Sequence, residues 1–399
     1  MNLPAFAPHR LRDMNRNLSS HVDDGRIPGL VAMVSRGDEL HVVEAGRLAF
    51  GSASPMRRDS VFRIASLTKL VTAAAAMALV EECRLRLDDP IDEWLPELGN
   101  RRVLRSLESA LEDTVPARRA ITVRDLFTSC MGFGSVMAPP DTHPIQRAVR
   151  ELQIGGDGPP LPSRLPALDE WLRRLGSLPL MAQPGERWMY HTSSDALGAL
   201  VTRASGLPLG RFMRDRIFEP LGMHDTGFEL QPGQEDRLAT AYLPRADGGF
   251  DTFDGVPDTA WRRPAMELGG GGLLSTPDDY HRFLRMMLGK GRLGSVEILS
   301  RSAVELMTAD QLRPAQRLGA EVFMGEHTSW GLGFSVGIRR MELFQRPGRF
   351  GWDGGLGLSA YVDPAEQLAG LLFTQRLVTS PEPPKVYTDF WTQAYAALA

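Results

Sequence analysis

Leu70 to Val80 is an eleven-residue run with no charged side chain, made mostly of Ala, Leu and Val. A helix that is apolar all the way round must be surrounded by protein or lipid. A membrane span needs ~20 such residues, so this run predicts a helix buried at the centre of a large body. It follows directly on Ser66-Leu67-Thr68-Lys69. In a helix, residues three apart share a face, so the spacing sets a hydroxyl beside an amine. The opening turn also has unpaired N–H groups and the positive end of the helix dipole. A serine nucleophile needs a group to take its proton and donors to hold an oxyanion, and this stretch offers the first and part of the second. Taken by itself, the tetrapeptide reads more simply as a capping serine and a solvated lysine.

The chain is long enough to surround such a helix. Its 399 residues, 43% hydrophobic and 24% charged, have an ordinary globular balance and suffice for about two or three domains, or one body with an insertion. A net charge of −4 does not argue for nucleic acid or an anionic membrane as partner. Two cysteines, Cys83 and Cys130, without a C-x-x-C pattern, predict a reduced protein. Met1 to Asp23 lacks a charged-then-apolar export pattern, so a cytoplasmic location is expected.

Leu11, Met14, Leu18 and Val22 recur at helical spacing. Gly29 to Ser35 and Leu40 to Ala45 read as strands joined by a hairpin at Arg36 to Glu39. From Leu85 to about Trp261 helical signals dominate, with Leu168, Leu172 and Leu175 on one face and Leu197, Leu200 and Val201 on another. Gly155 to Pro166, with seven Gly or Pro in twelve residues, reads as a loop. Ser275 to Asp279 reads as a helix start and Gly289 as its stop. Strands are expected at Trp330 to Gly337, Gly357 to Val362 and Gln367 to Gln375, and a closing helix over Val386 to Leu398. The fold class is therefore α/β (α+β): an antiparallel sheet flanked by N- and C-terminal helices, carrying an inserted helical region. The expected division is 1–85 plus 268–399 for the sheet part and 86–267 for the insertion. A cleft between them is the natural site, with the Ser66 turn at its edge.

Two more segments carry chemistry. Tyr190 follows the turn at Pro184-Gly185 and precedes a helix near Ser193. A free phenol, with a pKa near 10, is a poor base, and a neighbouring lysine cation would lower that value. Without Ser66 and Lys69, a packed core aromatic is the simpler reading of Tyr190. Arg349 to Gly357 includes Trp352-Asp353-Gly354-Gly355. Glycines at a strand edge admit close approach, and a peptide N–H there offers a second oxyanion donor. A bulge with a packed tryptophan fits the same residues.

Together, Ser66-x-x-Lys69, Tyr190 and Trp352 to Gly355 resemble, in order and separation, the motifs of the serine β-lactamase-like hydrolases, which include class C β-lactamases, D-alanyl-D-alanine peptidases and family VIII carboxylesterases. The resemblance extends over Phe62 to Ser66, Arg216 to Met223 and Gly269 to Thr276, and implies a β-lactamase/transpeptidase-like fold. It departs from the lactamases and peptidases at two places. Their second motif is usually Tyr-x-Asn, and here the third position is Thr192. Their third is usually Lys-Thr-Gly, and here it is Trp352-Asp353-Gly354. A site without that Asn and Lys lacks charge-assisted contacts to a substrate carboxylate. The resemblance is therefore closest to the family VIII esterases.

Gly333 to Gly337 matches the G-x-S-x-G nucleophile elbow. That fold places its catalytic histidine after the serine, and no histidine follows His327. Ser335 is thus read as structural, within a continuous strand. The eight histidines form no metal-ligand pattern. Gly269 to Gly272 lacks the Gly-Lys-Ser/Thr ending of a phosphate loop and reads as a place of close packing.

The expectation is a serine hydrolase that cleaves carboxylic esters, with short-chain acyl groups, through an acyl-enzyme on Ser66. Lys69 and Tyr190 share the base role, with Tyr190 preferred as the direct base. The N–H groups of Ser66 and Gly355 form the oxyanion hole, and Trp352, Gly354 and His191 contact substrate, His191 from the rim. No cofactor or metal is implied, and the partner is a small-molecule ester. The alternatives are a β-lactamase or D-alanyl-D-alanine peptidase, an acyl transferase, or a silent binding protein on the same fold.

Overall fold

Pro8 opens α1 (Pro8–Asp23), which buries Met14 and Leu18 at the spacing that predicted it. The next two runs form β1 (Gly29–Arg36) and β2 (Glu39–Gly46). β1 is buried along nearly its whole length, as a strand covered on both faces must be. α2 (Thr68–Glu81) is buried continuously from Thr68 to Leu79. The computed structural model describes residues 5–155, 158–159, 161–380 and 383–399. Of the loop expected over 155–166, residues 156, 157 and 160 lie outside the described residues, as do residues 1–4 of the N-terminal segment.

Two later helices position the site: α3 (Thr192–Ser205) and α4 (Pro277–Leu288). Thr276 caps α4 by accepting the Asp279 N–H, and Pro277 takes the first helical position. The chain then runs through β3 (Thr328–Trp330), β4 (Ser335–Gly337), β5 (Phe350–Gly354), β6 (Leu358–Asp363) and β7 (Leu368–Thr374) before closing with α5 (Lys385–Ala396). These strands make a seven-stranded sheet in the order β3-β4-β5-β6-β7-β1-β2, with every neighbouring pair antiparallel.

Alternation along the strands gives the sheet two faces. Val31, Met33, Ala360, Val362, Leu371 and Phe373 join the core that contains α2 and α4. Leu30, Ala32, Val34, Leu368 and Leu372 pack with α1 and α5. The terminal helices thus flank one side and the buried α2 lies on the other. Full burial of a Leu or Met side chain contributes about 1.5–3 kcal/mol, so the unbroken burial of α2 anchors the turn that precedes it.

Two expectations are corrected. Trp330 to Gly337 is not one strand: it turns at Gly331 to Phe334 between β3 and β4. Gly333 sits there with φ +89°, and a Cβ on it would lie 2.2 Å from the Cβ of Ala73, so the chain bends where it meets α2. The middle of the chain is mainly helical, as expected. It holds two short antiparallel pairs, Arg102–Leu104 with Thr114–Pro116 and Ala241–Pro244 with Phe250–Asp254. Ser66 does not open the α-helix. It occupies a 3-10 turn, Ala65–Leu67, ahead of α2.

Candidate active site

Ala65 has φ +47°, a left-handed conformation that costs a non-glycine residue about 1–3 kcal/mol. The turn holds it there from several sides. Tyr280 of α4 donates to the Leu67 carbonyl at 3.0 Å, and the Leu273 N–H donates to Thr68 Oγ1 at 3.1 Å. β5 packs against the same turn, and a Cβ on Gly354 would lie 3.0 Å from the Ile64 carbonyl oxygen. The strained residue aims Ser66 at the cavity.

Ser66 Oγ receives Tyr190 Oη–H at 2.7 Å and Lys69 Nζ–H at 3.1 Å. The Trp352 Nε1–H donates to Tyr190 Oη at 2.8 Å. Ser66 is 8% exposed and Lys69 1%, so the hydroxyl can be reached from the cavity while the amine lies behind it. The cavity holds about 1510 Å³ and is lined by Ser66, Tyr190, His191, Trp352, Gly354 and Gly355 together with apolar side chains such as Phe133 and Val136. Tyr190 is wedged among Trp188, Phe323 and Trp352, with ring centroids 5.6, 4.6 and 5.7 Å away.

The glycine run supplies contacts rather than a strand. The Gly270 carbonyl accepts from Lys69 Nζ, and the Gly270 N–H donates to Asp195 Oδ1 at 2.7 Å. A Cβ on Gly270 would crowd that carboxylate at 2.9 Å, so only glycine brings this backbone so close. Thr72 ties the loop to α2 by donating to the Gly269 carbonyl at 2.7 Å.

Burial acts on the site's titratable groups in different directions. It drives the Lys69 ammonium down to about 7, with the Asp195 charge opposing. It pushes the Tyr190 phenol up to about 12, against the bonds from Ser66 and Trp352. Burial also disfavours an ionised Asp195, but His191, Lys69 and the Gly270 N–H outweigh it and hold that carboxyl below its usual range.

The site residues named from the sequence converge on one cavity, with two changes of role. Trp352 is more than an apolar platform: its indole N–H is spent on Tyr190. His191 lines the cavity and also reaches inward. Its Nδ1 faces Lys69 Nζ at 3.1 Å and its Nε2 faces Asp195 Oδ2 at 3.1 Å. Among the described residues, neither the Ser66 N–H nor the Gly355 N–H donates to a protein acceptor. Ser335 is 1% exposed at the start of β4, opposite Gly351. Asp195 and Gly270 were missed. The signal for Asp195 was an acid four residues after His191, just ahead of the apolar run Ala196 to Val201.

One family model, Beta-lactamase, matches residues 14–389, the span that holds the serine, the lysine of the following helix and the distant tyrosine. The chain belongs to the beta-lactamase family. Within the family it is similar to Protein Rv1367c of Mycobacterium tuberculosis, 38% identical over 88% of this chain and 87% of that one. It is also similar to Esterase EstB of Burkholderia gladioli, 31% identical over 88% and 86%. Among solved structures, unliganded Simvastatin Synthase (LovD) from Aspergillus terreus superposes with a TM-score of 0.80 at 25% identity, covering 98% of this chain and 99% of that one. The protein is a β-lactamase-fold serine hydrolase, and among its described residues no helix is long and apolar enough to cross a membrane.

Proposed function

We propose that the chain cleaves carboxylic esters through an acyl-enzyme on Ser66. The observation that carries this is the placement of Ser66 Oγ between Lys69 Nζ and Tyr190 Oη, at the wall of an apolar cavity. Lys69 acts as the base. With a value near 7, about half of it is the free amine at neutral pH. Burial pushes Tyr190 up to about 12, so its phenol keeps its proton at that pH. This reverses the preference for Tyr190 drawn from sequence, which counted the lysine charge and not the burial of both groups.

In this reading Lys69 Nζ takes the Ser66 proton as Oγ bonds to the ester carbonyl carbon. The free N–H groups of Ser66 and Gly355 hold the oxyanion. The carbon–oxygen bond to the alcohol then breaks, and Tyr190 Oη–H, next to Oγ, delivers a proton to the departing oxygen. Lys69 returns a proton to Tyr190. Water then attacks the acyl-enzyme, giving its proton to the same pair, and Ser66 leaves with a proton restored. Trp352, Gly354 and Gly355 would line the substrate.

Esters are favoured over β-lactams and peptides because Trp352-Asp353-Gly354 offers no cation to a substrate carboxylate at the third motif, and EstB is named an esterase. Parallel assays with a short-chain nitrophenyl ester and a chromogenic cephalosporin test the reading, and comparable cephalosporin turnover would overturn it. The cavity gives a second reading. Its size exceeds the ~300–1,000 Å³ of ordinary ligand sites, which leaves room for an acceptor alcohol and supports acyl transfer by the same intermediate. The free thiols of Cys83, exposed, and Cys130, buried, favour a reducing compartment such as the cytoplasm.

A further inference from the structure

We propose that His191 is a positioning residue that aims the Lys69 lone pair at Ser66 Oγ and couples Lys69 to the buried Asp195. The proposal rests on the reading of Ser66 as nucleophile and Lys69 as its base.

The geometry fixes which ring nitrogen does what. An ionised Asp195 only accepts hydrogen bonds. Its Oδ1 takes the Gly270 N–H, and its Oδ2 faces His191 Nε2. Nε2 therefore carries a hydrogen, and in the neutral ring Nδ1 is left as an acceptor. That acceptor points at Lys69 Nζ.

Lys69 Nζ then has three neighbours: the Gly270 carbonyl, His191 Nδ1 and Ser66 Oγ. As an ammonium it has three hydrogens, one for each. As a free amine it has two hydrogens and one lone pair. The carbonyl and Nδ1 can only accept, so they take the two hydrogens, and the lone pair is left facing Ser66. Without the Nδ1 acceptor, the second N–H would turn to Ser66 Oγ and the lone pair would point away from the proton it must take. The other titratable groups facing this trio are Tyr190, whose ring centroid lies 4.8 Å from Nζ, and Asp353 on β5, which acts on Tyr190. The 269–272 loop contributes its backbone.

The backbone is consistent with a specific task. His191 has φ +83° and ψ −68° just before α3. A non-glycine residue is strained there, and such strain clusters at functional sites. Gly adopts positive φ at no steric cost, and Asn, like His, is enriched there, which makes a matched pair of variants available. His191→Asn keeps a side-chain acceptor, and His191→Gly removes it.

The experiment measures pre-steady-state acylation and steady-state KM for His191→Gly and His191→Asn with a nitrophenyl ester, alongside Tm. His191→Gly is expected to acylate roughly ten- to a hundredfold more slowly with KM within about twofold, and His191→Asn to recover most of that loss. Equal rates for the two variants would overturn the proposal. Asp195→Asn leaves the His191 backbone in place and keeps an oxygen for the Gly270 N–H. Because the Asp195 charge raises the Lys69 value, this variant is expected to move the acidic limb of the rate profile to lower pH, and an unmoved limb contradicts the coupling. Fluorophosphonate labelling of Ser66 in the wild type separates the two levels. A wild type that does not label removes the serine reading itself, whereas labelling with His191→Gly acylating at the wild-type rate removes only the role of His191.

Discussion

The indole N–H of Trp352 lies 2.8 Å from the hydroxyl oxygen of Tyr190, which in turn lies 2.7 Å from Ser66 Oγ. An indole nitrogen only donates. It therefore occupies a lone pair of Tyr190 and leaves the phenolic hydrogen to point at Ser66. The third sequence motif reaches Ser66 through the second.

Trp352→Phe keeps a large ring against Trp330, now 4.9 Å away between centroids, and removes the donor. A buried hydrogen bond is worth about 1 kcal/mol net, so kcat/KM for a nitrophenyl ester is expected to fall roughly three- to tenfold. Unchanged kcat/KM would show that the bond does not orient Tyr190.

The proposed base, Lys69, predicts the pH dependence. With Lys69 as the proposed base the free amine is the active form, so the rate should rise as pH passes through about 7. The sign for stability follows from the same depressed value. Between about 7 and the ordinary lysine value near 10.4, the unfolded chain holds a proton that the folded chain has lost, so stability rises with pH across that window. Lys69→Met should abolish turnover while raising Tm at pH 7 and flattening its pH dependence from 7 to 10. A Tm lowered at pH 7 would mean that the ammonium is not disfavoured in the fold.

Arg63 and Asp254 form an ion pair with side chains 2% and 4% exposed. Thr259 Oγ1 and the Ala260 N–H also donate to Asp254, at 2.7 and 2.8 Å. The pair ties the segment just before Ala65 to the middle of the chain. Arg63→Met leaves a buried carboxylate without its cation, which costs about 3–5 kcal/mol. Chemical denaturation should report that loss, and a change under 1 kcal/mol would refute the anchoring role.

Much of this architecture is legible in the sequence because it is local. The uniform apolarity of Leu70 to Val80 specifies a buried helix whatever surrounds it, and the spacing of Ser66 and Lys69 brings them together within one turn. The rest depends on contacts between distant residues. The split at Gly331 to Phe334 exists because Gly333 meets Ala73. The role proposed for His191 depends on Lys69, 122 positions away, and on the Gly270 carbonyl, 201 positions from that lysine. Charge alone predicted a lysine that activates Tyr190. Burial, which no single segment encodes, instead favours the lysine as base.

The central claim is that Ser66 carries the acyl group. Rapid quenching of a nitrophenyl ester turnover in acid, followed by intact mass and peptide mapping, tests it directly. One acyl adduct per chain on the Ser66 peptide, absent in Ser66→Ala and unchanged in Ser335→Ala, is the predicted result. An adduct that persists in Ser66→Ala, or none in the wild type during turnover, would contradict it.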